Sequence, residues 1–137
     1  VESLVTEASD HALRYAVDPG TRRPLHALAA GKILLAWMSP DEQLRYFAEV
    51  TRQPLTSLTR TDETALRADF ARIVAEGICV AREEATVGIC GVAVPVWIDR
   101  QLAGALSVAV PAVRFDAVME ERIRTLLIRS AAAIQGD

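Results

Sequence analysis

The chain has 137 residues, 51% apolar and 24% charged, with a formal net charge of −3. That length suffices for one domain with a buried core, and the composition is that of an ordinary globular protein. One lysine, no basic run longer than Arg22-Arg23 and no apolar run of membrane-spanning length argue against a nucleic-acid-binding surface and a membrane span.

No signal-peptide pattern opens the sequence, and Cys79 and Cys90 stand alone within apolar runs. Two reduced, buried thiols in a cytoplasmic protein are expected, rather than a disulfide. A first residue of Val rather than Met suggests a fragment or an excised domain.

Residues 1–13 have no clear periodicity, although Leu4, Val5 and Ala8 can start a short element. Leu13 to Val17 reads as a strand, closed by the turn Asp18-Pro19-Gly20-Thr21. A first helix is predicted from about Leu25 to Met38. Pro24 opens it where a missing N–H costs nothing, and Ala27, Ala29, Ala30 and Gly31 leave its start almost bare of side chains. Unpaired N–H groups at such a start, together with the helix dipole, favour an anion. The competing reading is close packing of a small-residue helix face against a sheet.

Ser39-Pro40-Asp41-Glu42 is a capping box with Pro at the first helical position, so a second helix covers about 40–50. The threonine-rich run from Thr51 to Thr61 reads as a loop. A third helix starts at Thr61 with Asp62 and Glu63 in its first turn. It carries Leu66, Phe70, Ile73 and Val74 as an apolar stripe and stops at Gly77. Ile78 to Glu83 is a strand, and Val87 to Ile98 is a second, apolar enough to be covered on both faces. Asp99-Arg100-Gln101 turns it back into Leu102 to Val110. The last helix places Phe115, Met119, Ile123, Leu126 and Leu127 on one face and ends near Gln135. Strand, three helices, three strands and a helix make an α+β fold, an antiparallel sheet flanked by helices.

Several of these stretches carry a family likeness. Pro24-Leu25-His26-Ala27, two small residues, Gly31-Lys32 and then Leu34-Leu35-Ala36 resemble the signature of the effector-binding domain of IclR-type bacterial transcription regulators. Thr59-Arg60-Thr61 before a helix ending at Gly77, and Glu83-Glu84 with Gly88 leading into Val92-Ala93-Val94-Pro95-Val96, agree in order and spacing. So does Leu106-Ser107-Val108-Ala109 ending at Pro111. The resemblance spans about Arg14 to Gln135. It implies a GAF-like sensory domain over 1–137 that lacks its first helix and strands, in a regulator whose winged helix-turn-helix is absent from this chain. It also implies a homodimer or homotetramer, and operator DNA bound only through that absent domain, not through this chain. No cofactor, metal or membrane partner is implied.

The resemblance further implies an effector site. Backbone N–H groups at Ala29 and Ala30 would meet the carboxylate of a small organic acid, with aromatic acids among the candidates. By two-residue alternation Ile89 and Gly91 share one strand face and Cys90 points the other way; in the family the former face borders the ligand. Gly91 stands where a larger residue can occur, which leaves room. Ser107 offers a hydroxyl in an apolar run, and Ala109 stands where the family can carry a second Ser. Tyr15 and Arg23 extend the site, the latter as a bidentate partner for a carboxylate.

Against each stands a plainer role: backbone satisfaction for a buried Ser, solvation for an Arg beside a proline. Glu83-Glu84 has no nucleophile or metal partner nearby and reads as a solvated strand end. A hydrogen bond ordering the loop to Gly88 is the second option.

Catalysis has little support. Only His26 with Cys90 forms a Cys–His pair, and alternation puts Cys90 on the wrong face. His11, His26, Cys79 and Cys90 match no zinc spacing. His26 reads instead as a helix-start residue packed against the sheet. The expected function is therefore ligand sensing. The alternatives are a GAF-like sensor of a non-transcriptional protein and a ligand-free oligomerisation module.

Overall fold

The structure, a computed structural model, describes residues 20 and 22–136. The predicted strand 13–17 lies outside them. The elements are a 3-10 turn (Leu25–Ala27), α1 (Ala29–Ala36), α2 (Pro40–Glu49), α3 (Glu63–Glu76), β1 (Cys79–Arg82), β2 (Ile89–Ile98), β3 (Gln101–Pro111), a second 3-10 turn (Ala112–Arg114) and α4 (Ala117–Ile134). The three strands form an antiparallel sheet in the order β1-β2-β3, and the class is α+β.

Local sequence explains most boundaries. The Ser39 side chain accepts from the Glu42 N–H at 3.2 Å while the Glu42 carboxylate accepts from the Ser39 N–H at 3.1 Å. That backbone hydrogen bond holds the Glu42 carboxyl below its usual range. Asp62 caps α3 and Asp116 caps α4, each accepting a backbone N–H three residues on. Gly77 ends α3 in the left-handed region, φ 73°. Asp99 and Arg100 both have positive φ, the two-residue hairpin geometry that joins β2 to β3.

Where the expectation fails, packing overrides periodicity. The predicted helix 25–38 is broken at Leu28, whose extended backbone (φ −108°, ψ 144°) separates the 3-10 turn from α1. Val74 and Leu126, expected in buried stripes, are exposed. Each adjoins a buried stripe residue in sequence (Ile73, Leu127), so about 100° of helix rotation turns it to solvent. Phe115 is buried just ahead of α4 rather than on it.

The sheet is covered on both faces. Cys90, Val92, Val94 and Val96 pack with Ile123, Leu127 and Ala131 of α4. Cys79, Ala81 and Ala93 pack with Ala29, Ile33 and Leu35 of α1 and Leu66, Phe70 and Ile73 of α3. Cys79 and Cys90 are free and buried, on opposite faces. Burial pushes the Cys79 thiol up to about 12 and the Cys90 thiol upward as well. Among the described residues no helix is long and apolar enough to cross a membrane.

Candidate functional site

Among the described α-helices, α1 alone starts without a side-chain cap. Leu28 occupies its N-cap and offers no oxygen, whereas α2, α3 and α4 are capped by Ser39, Asp62 and Asp116. The first intrahelical bond at this end is Lys32 N–H to the Leu28 carbonyl, 2.9 Å. The N–H groups of Ala29, Ala30 and Gly31 therefore precede the regular ladder. The break at Leu28 moves the helix start from Leu25 to Ala29, onto the two residues predicted to offer N–H groups.

This start lies against the sheet face formed by alternate residues of β2 and β3. A Cβ built on Gly91 would stand 3.4 Å from the Ala29 Cβ. The register pairs Gly91 with Ala109, Ala93 with Ser107 and Ile89 with Pro111. Residues paired across strands share a face, so Ser107 and Ala109 lie on the side of Gly91 and Ala93, with Cys90 opposite. Ser107 and Ala109 are exposed, not buried as the apolar run around Ser107 suggests. Arg23 is half-buried, and its guanidinium donates to the Thr86 hydroxyl at 3.4 Å, which places it by the β1–β2 loop. Tyr15 lies outside the described residues.

Gly31 explains how α1 comes so close to the turn before it. A Cβ there would stand 2.1 Å from the Leu25 carbonyl oxygen, so only glycine fits. His26 is buried, and its Nε2–H donates to the Gln53 carbonyl at 2.7 Å. It thus ties the turn to the 51–61 loop rather than only packing on the sheet. Its Nδ1 is buried and has no partner among the described residues.

The largest departure from the sequence reading is a buried ionic cluster. Lys32, 2% exposed, donates to Asp69 Oδ2 at 3.0 Å and to both Glu84 oxygens at 2.9 and 2.8 Å. Asp69 also accepts from Arg60 at 2.6 Å and from Arg72. Glu84, expected as a solvated strand end, is buried and in addition accepts the Arg60 N–H at 3.2 Å. Glu83, which has positive φ, accepts the Gly88 N–H at 2.9 Å, the loop-ordering bond read as its second option. Thr56 and Thr59 donate their hydroxyls to the Glu83 and Glu84 carbonyls at 2.7 and 2.5 Å, which fastens the 51–61 loop to the β1–β2 loop. The signal in the sequence was the solitary lysine ahead of Ile33-Leu34-Leu35, a charge in an apolar run.

A recess of about 300 Å³ lined by Ala36, Gln43, Arg67, Phe70, Ala71 and Val74 sits by the C-terminal end of α1 and includes none of the predicted site residues.

The profile of the bacterial transcriptional regulator IclR C-terminal family matches residues 5–136. The chain belongs to the IclR family. It is 44% identical over 97 residues to the HTH-type transcriptional regulator Rv1719 of Mycobacterium tuberculosis, a match covering 70% of this chain and 37% of that protein. A solved transcriptional regulator from Rhodococcus sp. RHA1 superposes with a TM-score of 0.89 at 27% identity, covering 94% of this chain and 53% of that one. A double mutant of the inducer-binding domain of the transcription factor PobR from Acinetobacter, solved with 3-hydroxybenzoic acid, superposes with a TM-score of 0.84 at 24% identity. That match covers 93% of this chain and 74% of that one, and the likeness is one of fold. The chain spans about two fifths of the length of the curated relatives it matches. This chain is the effector-binding regulatory domain of the IclR family.

Proposed function

We propose that this domain binds a small organic acid between the start of α1 and the Gly91–Ser107 face of the sheet, and so controls a transcription regulator. The carboxylate meets the N–H groups of Ala29 and Ala30, with Ser107 as a second donor. Ile89, Gly91 and Ala109 border the rest of the molecule, and Tyr15 and Arg23 extend the site. The observation that carries this reading is the start of α1, without a side-chain cap, beside a strand whose glycine stands next to Ala29.

Binding biases the arrangement of paired copies and thereby of DNA-binding domains elsewhere in the regulator, with a coupling of roughly 1–3 kcal/mol sufficing. The domain works as a homodimer or homotetramer and touches no DNA itself. Light scattering is expected to report a dimer or larger.

Calorimetry on this chain with 3-hydroxybenzoate, benzoate and pyruvate tests the site. Ala30→Asp puts a fixed negative charge where the carboxylate sits and should abolish binding while the fold survives. Ser107→Ala removes one hydrogen bond, roughly 0.5–1.5 kcal/mol if neutral and up to about 3 kcal/mol if charge-assisted. An acid that binds both variants as tightly as the wild type would place the ligand elsewhere.

A further inference from the structure

Lys32 is the buried charged group closest in sequence to the proposed acid site, and the site does not use it. We infer that Lys32 is a positioning residue for the effector: its bonds to Asp69 on α3 and Glu84 on the β1–β2 loop fix the rotation of α1 and hence the direction of the N–H groups at Ala29 and Ala30. The inference rests on the start of α1 being the acid site.

The other directional contacts lie at the ends of the helix, where Gly31 fits against the Leu25 carbonyl and Gln43 Nε2 donates to the Leu35 carbonyl at 2.8 Å. The helix is eight residues long, has no side-chain cap at its start, and its first three positions are Ala, Ala and Gly. Ile33 and Leu35 are fully buried and decide which face of α1 turns inward, but apolar contact is non-directional and aims the helix less sharply than a hydrogen bond. Lys32 follows immediately, and its ammonium meets three carboxylate oxygen atoms at 2.8–3.0 Å, on partners 37 and 52 residues away. Those partners are themselves held. Arg60 and Arg72 grip Asp69, and the Arg60 N–H and the Thr59 hydroxyl grip Glu84. A buried ion pair adds little stability over well-packed apolar side chains of the same size, whereas it fixes direction, which a short helix aiming N–H groups at a ligand requires.

The test compares wild type with Lys32→Met/Glu84→Gln on the whole chain. The double variant takes one charge of each sign from the cluster, so three cations against two carboxylates become two against one and the net charge is kept. The new amide oxygen still accepts the Arg60 N–H. Amide exchange by NMR should be faster by about tenfold or more for Lys32 to Leu35 in α1, with Ile123 and Leu127 in α4 unchanged. With 3-hydroxybenzoate as the probe, or whichever of benzoate and pyruvate wild type binds, Kd should weaken about tenfold or more, as a small misalignment of the donors costs.

Unchanged α1 exchange with unchanged Kd overturns the proposal. Faster exchange spread equally through α1 and α4 also overturns it, because Lys32 is then an ordinary core residue. If wild type binds none of the three acids, the acid site fails and the effector role of Lys32 falls with it. Exchange confined to α1 would still identify Lys32 as the group that orients the helix, so the two failures stay distinguishable.

Discussion

Both faces of the sheet carry an apolar core, and only one of them adds buried charge among the described residues. On the α4 face, Cys90, Val92, Val94, Val96, Ile123 and Leu127 make a dry apolar layer. On the α1 face the side chains against the helix start shrink to Gly91, Ala93 and Ala29, and the buried charge of Lys32, Asp69 and Glu84 gathers among α1, α3 and the β1–β2 loop. An apolar layer contributes stability in proportion to the area it removes from water and asks only for fit. A charged layer is costly unless every partner is present, and it dictates geometry in return. Both faces therefore hold the fold, and the α1 face adds to its apolar core a charged cluster that dictates geometry beside the proposed site.

That contrast breaks first at Lys32. Lys32→Met alone leaves Glu84 buried without its cation and should destabilise by about 3–5 kcal/mol in chemical denaturation. Leu127→Ala on the other face should cost a similar amount, roughly 2–5 kcal/mol, through the cavity it leaves. The faces differ in rescue. Adding Glu84→Gln should recover a large part of the Lys32→Met loss, because the two groups act as a unit. No single polar change should rescue Leu127→Ala. Additive losses for Lys32→Met and Glu84→Gln would contradict the coupling.

Gly31→Ala comes next. Its Cβ would fall 2.1 Å from the Leu25 carbonyl oxygen, a backbone atom that moves only if the 3-10 turn moves. A loss of about 3 kcal/mol is expected, at the upper end of overpacking costs. A melting curve unchanged by Gly31→Ala would mean that the turn is not held against α1.

How far these features were legible depends on the range of the interaction that makes them. The Ser39 capping box, the Gly77 stop and the facing of Cys90 away from Gly91 are set by neighbours a few residues apart, and the sequence displays them. The family resemblance added what local chemistry cannot, the suggestion that Ala29 and Ala30 offer their N–H groups. Lys32, Asp69 and Glu84 escaped notice because their pairing spans 37 and 52 residues and no local pattern encodes it. Glu84 beside Glu83 looks like a solvated strand end until the fold brings an ammonium to it. Leu28 looks like one more apolar helix residue. Its extended backbone appears only once the 3-10 turn is packed against Gly31. The exposure of Val74 and Leu126 reflects a stripe narrower than the run of apolar residues.

Alkali should separate folded from unfolded chain through Cys79. Its thiol is pushed from an ordinary value near 9 up to about 12, chiefly by burial. Between those values the unfolded state loses the proton while the native state keeps it, so stability falls as pH rises. The contribution is intact below about pH 9 and fades by about 1.4 kcal/mol per pH unit above it. Cys79→Ser should flatten that slope in denaturation curves taken from pH 8 to pH 11. At pH 8 iodoacetamide should spare both thiols in the native chain and label them in denaturant. Equal slopes for wild type and variant would mean that water reaches Cys79 on the α1 face.

The smallest effect on stability is expected at Gly91, and it is the most telling for the site. Among the described residues a Cβ there would meet only the Ala29 methyl, at 3.4 Å, and the backbone is not in the left-handed region. Gly91→Ala should leave stability unchanged or raise it by up to about 1 kcal/mol, since a strand glycine gives the unfolded chain freedom that alanine does not. The same methyl occupies the space between β2 and the start of α1, where an acid on the Ala29 and Ala30 N–H groups would extend over the sheet. Affinity for such an acid should therefore fall even as the melting temperature holds or climbs. Gly31→Ala has the opposite signature, with the melting temperature falling. Two glycines on one side of the sheet, one required by the backbone and one by the ligand, are told apart by which curve moves. If affinity is the same with and without the Gly91 methyl, the acid does not reach this face, and the glycine serves only to let α1 pack closely.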